Sequence, residues 1–301
     1  MVDVTVIILT KNEELHLGRC LERLRALGPR RVVVVDSEST DATADLARRG
    51  GAEVVIHPWP GNQAAQFNWA LDNLPILTEW VLRLDADEYL SPELTEEIRA
   101  KLPEMPADVS ALVLPLGRYF LNRRLRHGIV NGIAMVRMFR RGCCRYEQRL
   151  MDEHLQILSG RALTLTHPFY DHSLLPLSAF IAKHNGYADR EAALLLAEKY
   201  RPQSADADKA GALADTVATK RRQKSRYGRM PLFWRSTAYF LYRYIVRLGF
   251  LDGKEGFLWD FLQGWWYRTL VDAKVMEVER ACGNDRDKIR QHLSEHYGIS
   301  I

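Results

Sequence analysis

The chain has 301 residues, 47% hydrophobic and 27% charged, with a formal net charge of +4. Such a composition can bury a core and excludes a chain too polar to fold. No run of 18 predominantly apolar residues occurs, so no membrane span is expected. Met1-Val2-Asp3-Val4 lacks the basic and apolar regions of a signal peptide. Cys20, Cys143, Cys144 and Cys282 form no C-x-x-C pair and no zinc spacing, and read as reduced thiols of a cytosolic protein.

The first hundred residues alternate strand and helix patterns. Val4 to Leu9 is an apolar, β-branched run, the mark of a strand buried on both faces. Leu15, Leu17, Leu21, Leu24 and Leu27 predict a helix over residues 13–27, stopped by Gly28-Pro29. Arg31 to Asp36 reads as the second strand. Ser39-Thr40-Asp41 supplies an N-cap signal for a helix running to about Arg49. Glu53 to His57 is the third strand, residues 62–74 the next helix, and Trp80 to Leu84 the fourth strand. Crossover helices between strands imply a parallel sheet. The first turn has no G-x-G-x-x-G, which counts against a dinucleotide-binding domain.

Beyond Pro103 the pattern loosens. Ala111 to Leu114 and Ile133 to Phe139 read as strands, separated by a basic loop with Arg118, Arg123, Arg124, Arg126 and His127. From Leu177 onward the chain is helical, with one helix over about 179–200 and aromatic-rich stretches over about 232–251 and 257–278. No acidic residue lies between Asp215 and Asp252, where Lys220, Arg221, Arg222, Lys224, Arg226, Arg229, Arg235, Arg243 and Arg247 fall. Such a block seeks phosphates of lipid headgroups, glycans or nucleic acid. Within 257–275, Asp260, Gly264, Arg268 and Asp272 recur at i, i+4, a narrow polar stripe on an otherwise apolar helix. That helix must be buried in the fold, in an oligomer or in lipid. Aromatics interleaved with basic residues suit a membrane interface; alternatively they pack inward and only the charges are solvated.

The strongest chemical signal is Asp85-Ala86-Asp87-Glu88, at the end of the fourth strand. Carboxylates at strand ends face the crevice where α/β sheets bind ligands. Two residues apart on a regular strand, Asp85 and Asp87 aim the same way. A hard cation, Mg²⁺ or Mn²⁺, itself holding a diphosphate, is the natural occupant. A turn of solvated acids is the plainer alternative.

Taken in order, Val6-Ile7-Ile8-Leu9-Thr10-Lys11-Asn12-Glu13-Glu14, Val35-Asp36-Ser37-Glu38-Ser39-Thr40-Asp41 and Leu84-Asp85-Ala86-Asp87-Glu88 resemble the inverting family 2 glycosyltransferases of GT-A fold. The nearest branch resembles the bacterial lipopolysaccharide core β-glucosyltransferases. The resemblance implies an α/β fold: a Rossmann-like, mostly parallel sheet flanked by helices, with a helical C-terminal extension. Domains are expected at 1–175 and 176–301.

It also implies roles. Thr10, Asn12 and Glu13 would surround the nucleotide base, Asp36 and Ser37 the uracil or ribose. Asp85 and Ala86 would lie at the ribose or metal-bound water, with Asp87 and Asp85 as metal ligands. Arg137 and Arg140 are candidates to hold the diphosphate or an acidic acceptor, the alternative being a solvated strand edge. Glu153, with Asp152 second, would be the base that deprotonates the acceptor; an acidic first turn of a helix is the alternative. His154 and His167 are weaker candidates for diphosphate or metal contacts. Two departures stand out. Ser37 replaces an Asp common in the family, and Gln66-Phe67 stands where a basic residue is frequent, leaving Arg83 or Arg118 to meet phosphate.

The implied partners are a nucleotide-sugar, in the first place a UDP-sugar, and a lipid-linked or lipopolysaccharide glycan. Peripheral contact with the inner face of the cytoplasmic membrane is expected, with no nucleic acid, and the aromatic C-terminal helices offer a surface for homo-oligomers. The rivals are a nucleotidyltransferase, which lacks support because no glycine follows the first strand until Gly18, and a nonenzymatic module binding anionic lipid or nucleic acid.

Overall fold

A computed structural model of the chain describes residues 1–130, 132–147, 155–200 and 230–298. The chain divides into two compact units, Met1–Leu174 and Leu175–Ile301.

The first unit opens on β1 (Val2–Thr10), β2 (Pro29–Asp36), β3 (Glu53–Ile56) and β4 (Trp80–Asp85), paired in parallel in the order β3-β2-β1-β4. Parallel neighbours need crossovers, supplied by α1 (Leu17–Leu27), α2 (Thr43–Arg49) and α3 (Gln63–Asn73). The two-residue period of β1 explains its unbroken apolar run. Val4, Val6 and Ile8 pack with Leu17, Leu21 and Leu24 of α1, while Ile7 and Leu9 pack with Ala64, Phe67 and Ala70 of α3.

One helix start differs from the sequence expectation. Residues 13–16 form a turn before α1, in which the Glu13 carbonyl accepts from the His16 and Leu17 amides. Asp41 caps the start of α2, its Oδ1 accepting from the Thr43 amide at 3.0 Å with Ala42 between them. Ser39, Thr40 and the other Asp41 oxygen bond across the loops.

β5 (Glu88–Leu90) follows a two-residue turn, and α4 (Pro92–Lys101) is capped by Ser91, whose Oγ accepts from the Leu94 amide at 3.0 Å. Then come β6 (Val109–Phe120), β7 (Arg123–Leu125), β8 (Ala134–Arg140), β9 (Cys144–Tyr146), β10 (Leu155–Ile157), β11 (Arg161–Thr164) and β12 (Phe169–Asp171). β8 runs antiparallel between β4 and β6, β12 lies parallel beside β6, and β5 pairs antiparallel with β12. The result is a mixed, mostly parallel sheet, with β9 and β10 as a separate pair. The expected basic loop is instead a hairpin: Arg118 lies in β6, and Arg123 and Arg124 in β7. Its turn residues Leu121 and Asn122 take positive φ, 48° and 62°, as a tight two-residue hairpin turn requires.

In the second unit α5 (Leu177–Lys199) packs through Ala188, Ala192, Ala193 and Leu196. After α6 (Trp234–Leu241) a π-helical stretch covers Tyr242–Val246. α7 (Gly253–Trp259) passes through a second π-helical stretch, Asp260–Trp266, into α8 (Tyr267–Ala281), and α9 (Arg286–Tyr297) follows. Val271, Val275, Val278, Ile289 and Leu293 complete this core with α5. Gly256 lets two backbones meet, since a Cβ there would lie 2.5 Å from the Gly249 carbonyl oxygen.

Both acids of the polar stripe and Gly264 are buried within the unit, while Arg268 is partly exposed. Asp260 accepts from Arg243 Nε at 2.8 Å and Asp272 from Arg235 Nε at 2.8 Å, all four side chains at most 4% exposed. Two of the nine cations read as phosphate-seeking are therefore neutralised inside the fold. Lys220, Arg221, Arg222, Lys224, Arg226 and Arg229 lie outside the described residues.

Glu97 of α4 ties the helix to the chain before β12. It accepts from Lys101 Nζ at 2.7 Å, from the Thr166 and His167 amides at 3.0 Å, and meets His167 Nδ1 at 3.0 Å. Burial works against its charge, but those bonds outweigh burial and lower its carboxyl to about 2. The stabilisation is present above the ordinary carboxylate pKa and is lost as pH falls from there through about 2. Glu97→Gln is expected to lose about 3 kcal/mol at pH 7. Urea unfolding at pH 7 and pH 3 should show the gap between variant and wild type narrowing in acid.

Candidate active site

The parallel strands bring three sequence motifs into one row. Thr10 stands opposite Asp36 across β1 and β2, and Leu9 opposite Asp85 across β1 and β4. All lie at carboxyl ends of adjacent parallel strands, where crevices of open α/β sheets bind ligands.

The loops following β1 and β2 are clasped together. Asp36, 1% exposed, accepts from Thr10 Oγ1 at 2.8 Å, from the Ser39 amide at 2.8 Å and from Ser39 Oγ at 2.5 Å. The Asn12 amide donates to Ser39 Oγ at 2.8 Å, and Asn12 Oδ1 accepts from the Thr40 amide at 2.9 Å. Glu13 donates its amide to Thr43 Oγ1 and holds His16 Nδ1 at 2.7 Å through its carboxylate. Lys11 Nζ donates to the Ser37 and Glu38 carbonyls at 2.7 and 2.6 Å. Asn12 and Glu38 sit at positive φ, 54° and 58°, a conformation that costs energy and is held by this clasp. Gln66, fully buried, donates to Ser37 Oγ at 3.0 Å and bonds His57 Nδ1 at 2.6 Å. Gln66 thus acts as an internal strut between Ser37 and His57.

β4 ends at Asp85, Ala86 and Asp87 form a turn, and Glu88 opens β5. The strand alternation that would aim Asp85 and Asp87 together is thus broken between them. Ala86 is buried, while Asp85 and Asp87 are partly exposed. Glu88 folds back, its Oε2 accepting from the Asp85 amide at 3.0 Å. Its other oxygen pairs with Arg137 of β8, both side chains being at most 8% exposed. Arg137 also lies 3.6 Å from Asp85 Oδ2, and Arg83 lies 3.4 Å from Asp85 Oδ1. Burial pushes the Glu88 carboxyl above its ordinary range, Arg137 pulling against it and Asp85 adding to the rise. Burial opposes the Arg137 charge, but Glu88 and Asp85 outweigh it and raise its pKa.

Arg83 lies between the Phe67 and Tyr146 rings, 5.4 and 4.6 Å from their centroids, and donates to Gln63 Oε1 at 2.9 Å. The buried Nε groups of Arg83 and Arg137 make no hydrogen bond. Two buried guanidiniums thus retain donor capacity beside the acidic turn.

Several candidates lie elsewhere. Arg118 pairs with Asp171 at 2.8 Å. Arg140 pairs with Glu79, stacks on Trp80 and donates to the Val109 carbonyl, so it serves the sheet rather than the crevice. His167 belongs to the Glu97 network. Asp152, Glu153 and His154 lie outside the described residues. Glu88 carried no sequence signal of its own, because its partner is 49 positions away. Beside the turn, His172 donates its amide to the Asp87 carbonyl at 3.0 Å and stacks on Tyr119 at 4.4 Å. Arg124 and Arg19 lie over the Tyr170 and Tyr89 rings, making a wall whose ring faces are already occupied.

Among the described residues no group of three or more His, Cys, Asp or Glu side chains converges as a metal cage. Asp85 and Asp87 offer at most two carboxylates, which fits a hard ion taking its other oxygens from water and a diphosphate.

Residues 5–165 match the sequence profile of the family described as Glycosyl transferase family 2. The chain is 43% identical over 95 residues to an uncharacterized glycosyltransferase of Rickettsia conorii, covering 32% of each chain. It is 31% identical over 152 residues to the lipopolysaccharide core biosynthesis glycosyltransferase LpsC of Rhizobium meliloti, covering 48% of this chain and 53% of LpsC. The matches thus span about a third to a half of these relatives. Among solved structures, the chain is 16% identical to the mannosyltransferase PcManGT of Pyrobaculum calidifontis in complex with GDP-Man and Mn²⁺. That likeness covers 91% of this chain and 87% of the other at a TM-score of 0.48.

Removing one partner of a buried ion pair leaves the other charge uncompensated. Arg137→Met is expected to destabilise the protein by about 3–5 kcal/mol. Adding Glu88→Gln should recover at least about 1 kcal/mol of that loss, read as non-additivity in a urea-unfolding double-mutant cycle. A neutral Arg137→Met variant would show that Glu88 does not depend on this guanidinium.

Proposed function

Because this chain belongs to glycosyl transferase family 2, we propose that it moves a sugar from a UDP-sugar to a lipid-linked or lipopolysaccharide glycan, with inversion at the anomeric carbon. The observation that carries this reading is the row of Asp36, Thr10 and Asp85 at the ends of β2, β1 and β4, with Asp87 in the turn that follows. The LpsC likeness supports the glycan class of the acceptor. Work at the inner face of the cytoplasmic membrane follows from such an acceptor; no helix among the described residues is long and apolar enough to cross a membrane.

On this reading the nucleoside enters over the clasped loops. Asp36 is saturated by Thr10 and Ser39, so it shapes the floor, while Asn12, Glu13 and Ser37 border the base. Asp87 would ligate Mg²⁺ or Mn²⁺, with Asp85 toward the ribose or a metal-bound water, flanked by Arg83 and Arg137. Such an ion, when bound, offsets negative charge developing on the leaving diphosphate. Arg83 and Arg137 supply fixed positive charge to the same end, preorganised by burial. The acceptor hydroxyl forms its bond to the anomeric carbon as the bond to the UDP oxygen breaks. Its proton passes to a carboxylate, for which Glu153 is proposed, with Asp152 the other candidate.

A panel of nucleotide-sugars, read by nucleoside diphosphate release with Mn²⁺, with Mg²⁺ and with chelator, tests the proposal. Release from one UDP-sugar is expected, lost on chelation and reduced at least roughly 100-fold in Asp87→Ala. Unchanged donor binding and turnover in Asp87→Ala would overturn it.

A further inference from the structure

The second unit carries a helical segment whose polarity is turned inside out. Three of its four acids and two of its arginines face inward, Asp260 with Arg243, Asp272 with Arg235, and Asp252 only 5% exposed, while Glu255 is half-buried. Phe250, Leu251, Phe257 and Trp265 face outward, while Trp259 and Leu262 are buried. Rings of Phe240, Tyr244, Phe250, Phe257, Phe261 and Trp265 follow one another at centroid distances of 5.4–6.3 Å, forming one continuous surface. Ile245 and Val246 beside it are 54% and 66% exposed. Soluble monomers rarely leave so large a contiguous apolar area in water, so it marks a docking face.

We propose that this face, over residues 240–265, inserts into the headgroup region of an anionic lipid leaflet. The proposal rests on the transferase reading only in its choice of a lipid-borne acceptor; the surface itself is independent of it. Charge decides the occupant. Arg247 and Lys254, both positive, are the fully exposed ionic side chains between residues 230 and 265, where Asp252 and Asp260 are buried and Glu255 is half-buried. An apolar face flanked by two exposed cations matches the apolar–anionic boundary of a bilayer. A second copy docked by two-fold symmetry would instead set that positive rim against itself. Insertion is limited to the interface, because no helix here is long and apolar enough to span.

Flotation of the full chain with phosphatidylethanolamine–phosphatidylglycerol vesicles, and with phosphatidylcholine vesicles, tests this. Binding to the anionic vesicles is expected, weaker by roughly tenfold on phosphatidylcholine. Raised salt should weaken it only partly, because the apolar insertion is unscreened. Ile245→Asp with Val246→Asp should lower partitioning by roughly tenfold or more. Circular dichroism of the variant should match wild type, as both side chains are exposed. Wild type that stays in the aqueous fraction, or a variant that floats equally well, overturns the proposal. So does a wild-type dimer that the double variant converts to a monomer while neither binds vesicles. Donor turnover measured without lipid in the same preparations keeps the two ideas apart: its absence counts against the transferase reading alone, and the double variant should retain it.

Discussion

The acidic turn after β4 depends on one buried charge arrangement. Two residues joining a central strand to an edge strand have little to hold them, and Asp87 must nonetheless point reproducibly. Glu88 supplies the anchor, with one oxygen on the Asp85 amide and the other on Arg137. Behind the turn, the His172 amide holds the Asp87 carbonyl. β4, β5, β8 and the chain leaving β12 therefore meet at three polar contacts. Desolvating Glu88 and Arg137 is costly, and an apolar pair of the same volume would stabilise the fold as well or better. What the ion pair adds is position: it fixes the strand break that re-aims Asp87, and it leaves Arg137 beside Asp85 with donor capacity to spare.

The other wall of the crevice follows a different logic. Most polar side chains there are satisfied by each other, Thr10 and Ser39 by Asp36, Asn12 by the amide of Thr40. Two residues other than glycine are kept in the left-handed region by those bonds. Rigidity is the product, since neither loop can move without leaving a carboxylate or amide unpaired. The crevice thus joins a fixed, self-satisfied wall to a charged turn that keeps donor capacity in Arg83 and Arg137.

What was legible in the sequence was the part written locally. Val4 to Leu9 announced a strand buried on both faces because every residue is apolar, and Asp36 and Asp85 stood out as the charges ending such runs. Glu88 was not legible: a glutamate after two aspartates reads as one more solvated acid, and only the register of β4 on β8 brings Arg137 to it. Ser39-Thr40-Asp41 was legible in part. Asp41 Oδ1 does take the Thr43 amide at the start of α2, while Ser39 Oγ and Asp41 Oδ2 accept from the Asn12 and Glu14 amides of a loop 27 positions earlier. The basic hairpin of β6 and β7 looked like a loop because charges on a strand edge break the apolar alternation without breaking the strand.

The second unit shows the same limit at larger scale. Asp260, Gly264, Arg268 and Asp272 were visible as a stripe, yet a stripe says only that one face differs from the others. Its direction came from Arg235 and Arg243, which belong to a segment that sequence alone read as phosphate-seeking. Once those arginines turn inward to Asp272 and Asp260, Phe257 and Trp265 of the same helical run are left exposed, while Trp259 and Tyr267 stay buried. Gly264 belongs to the same geometry: a Cβ there would lie 3.0 Å from the Arg243 side chain, so the arginine can cross the helix only where that side chain is missing. The outward apolar face is thus a consequence of pairing the charges inside, and it is stable in water only to the extent that those two ion pairs and the Val271, Val275 and Val278 core hold the helices in register.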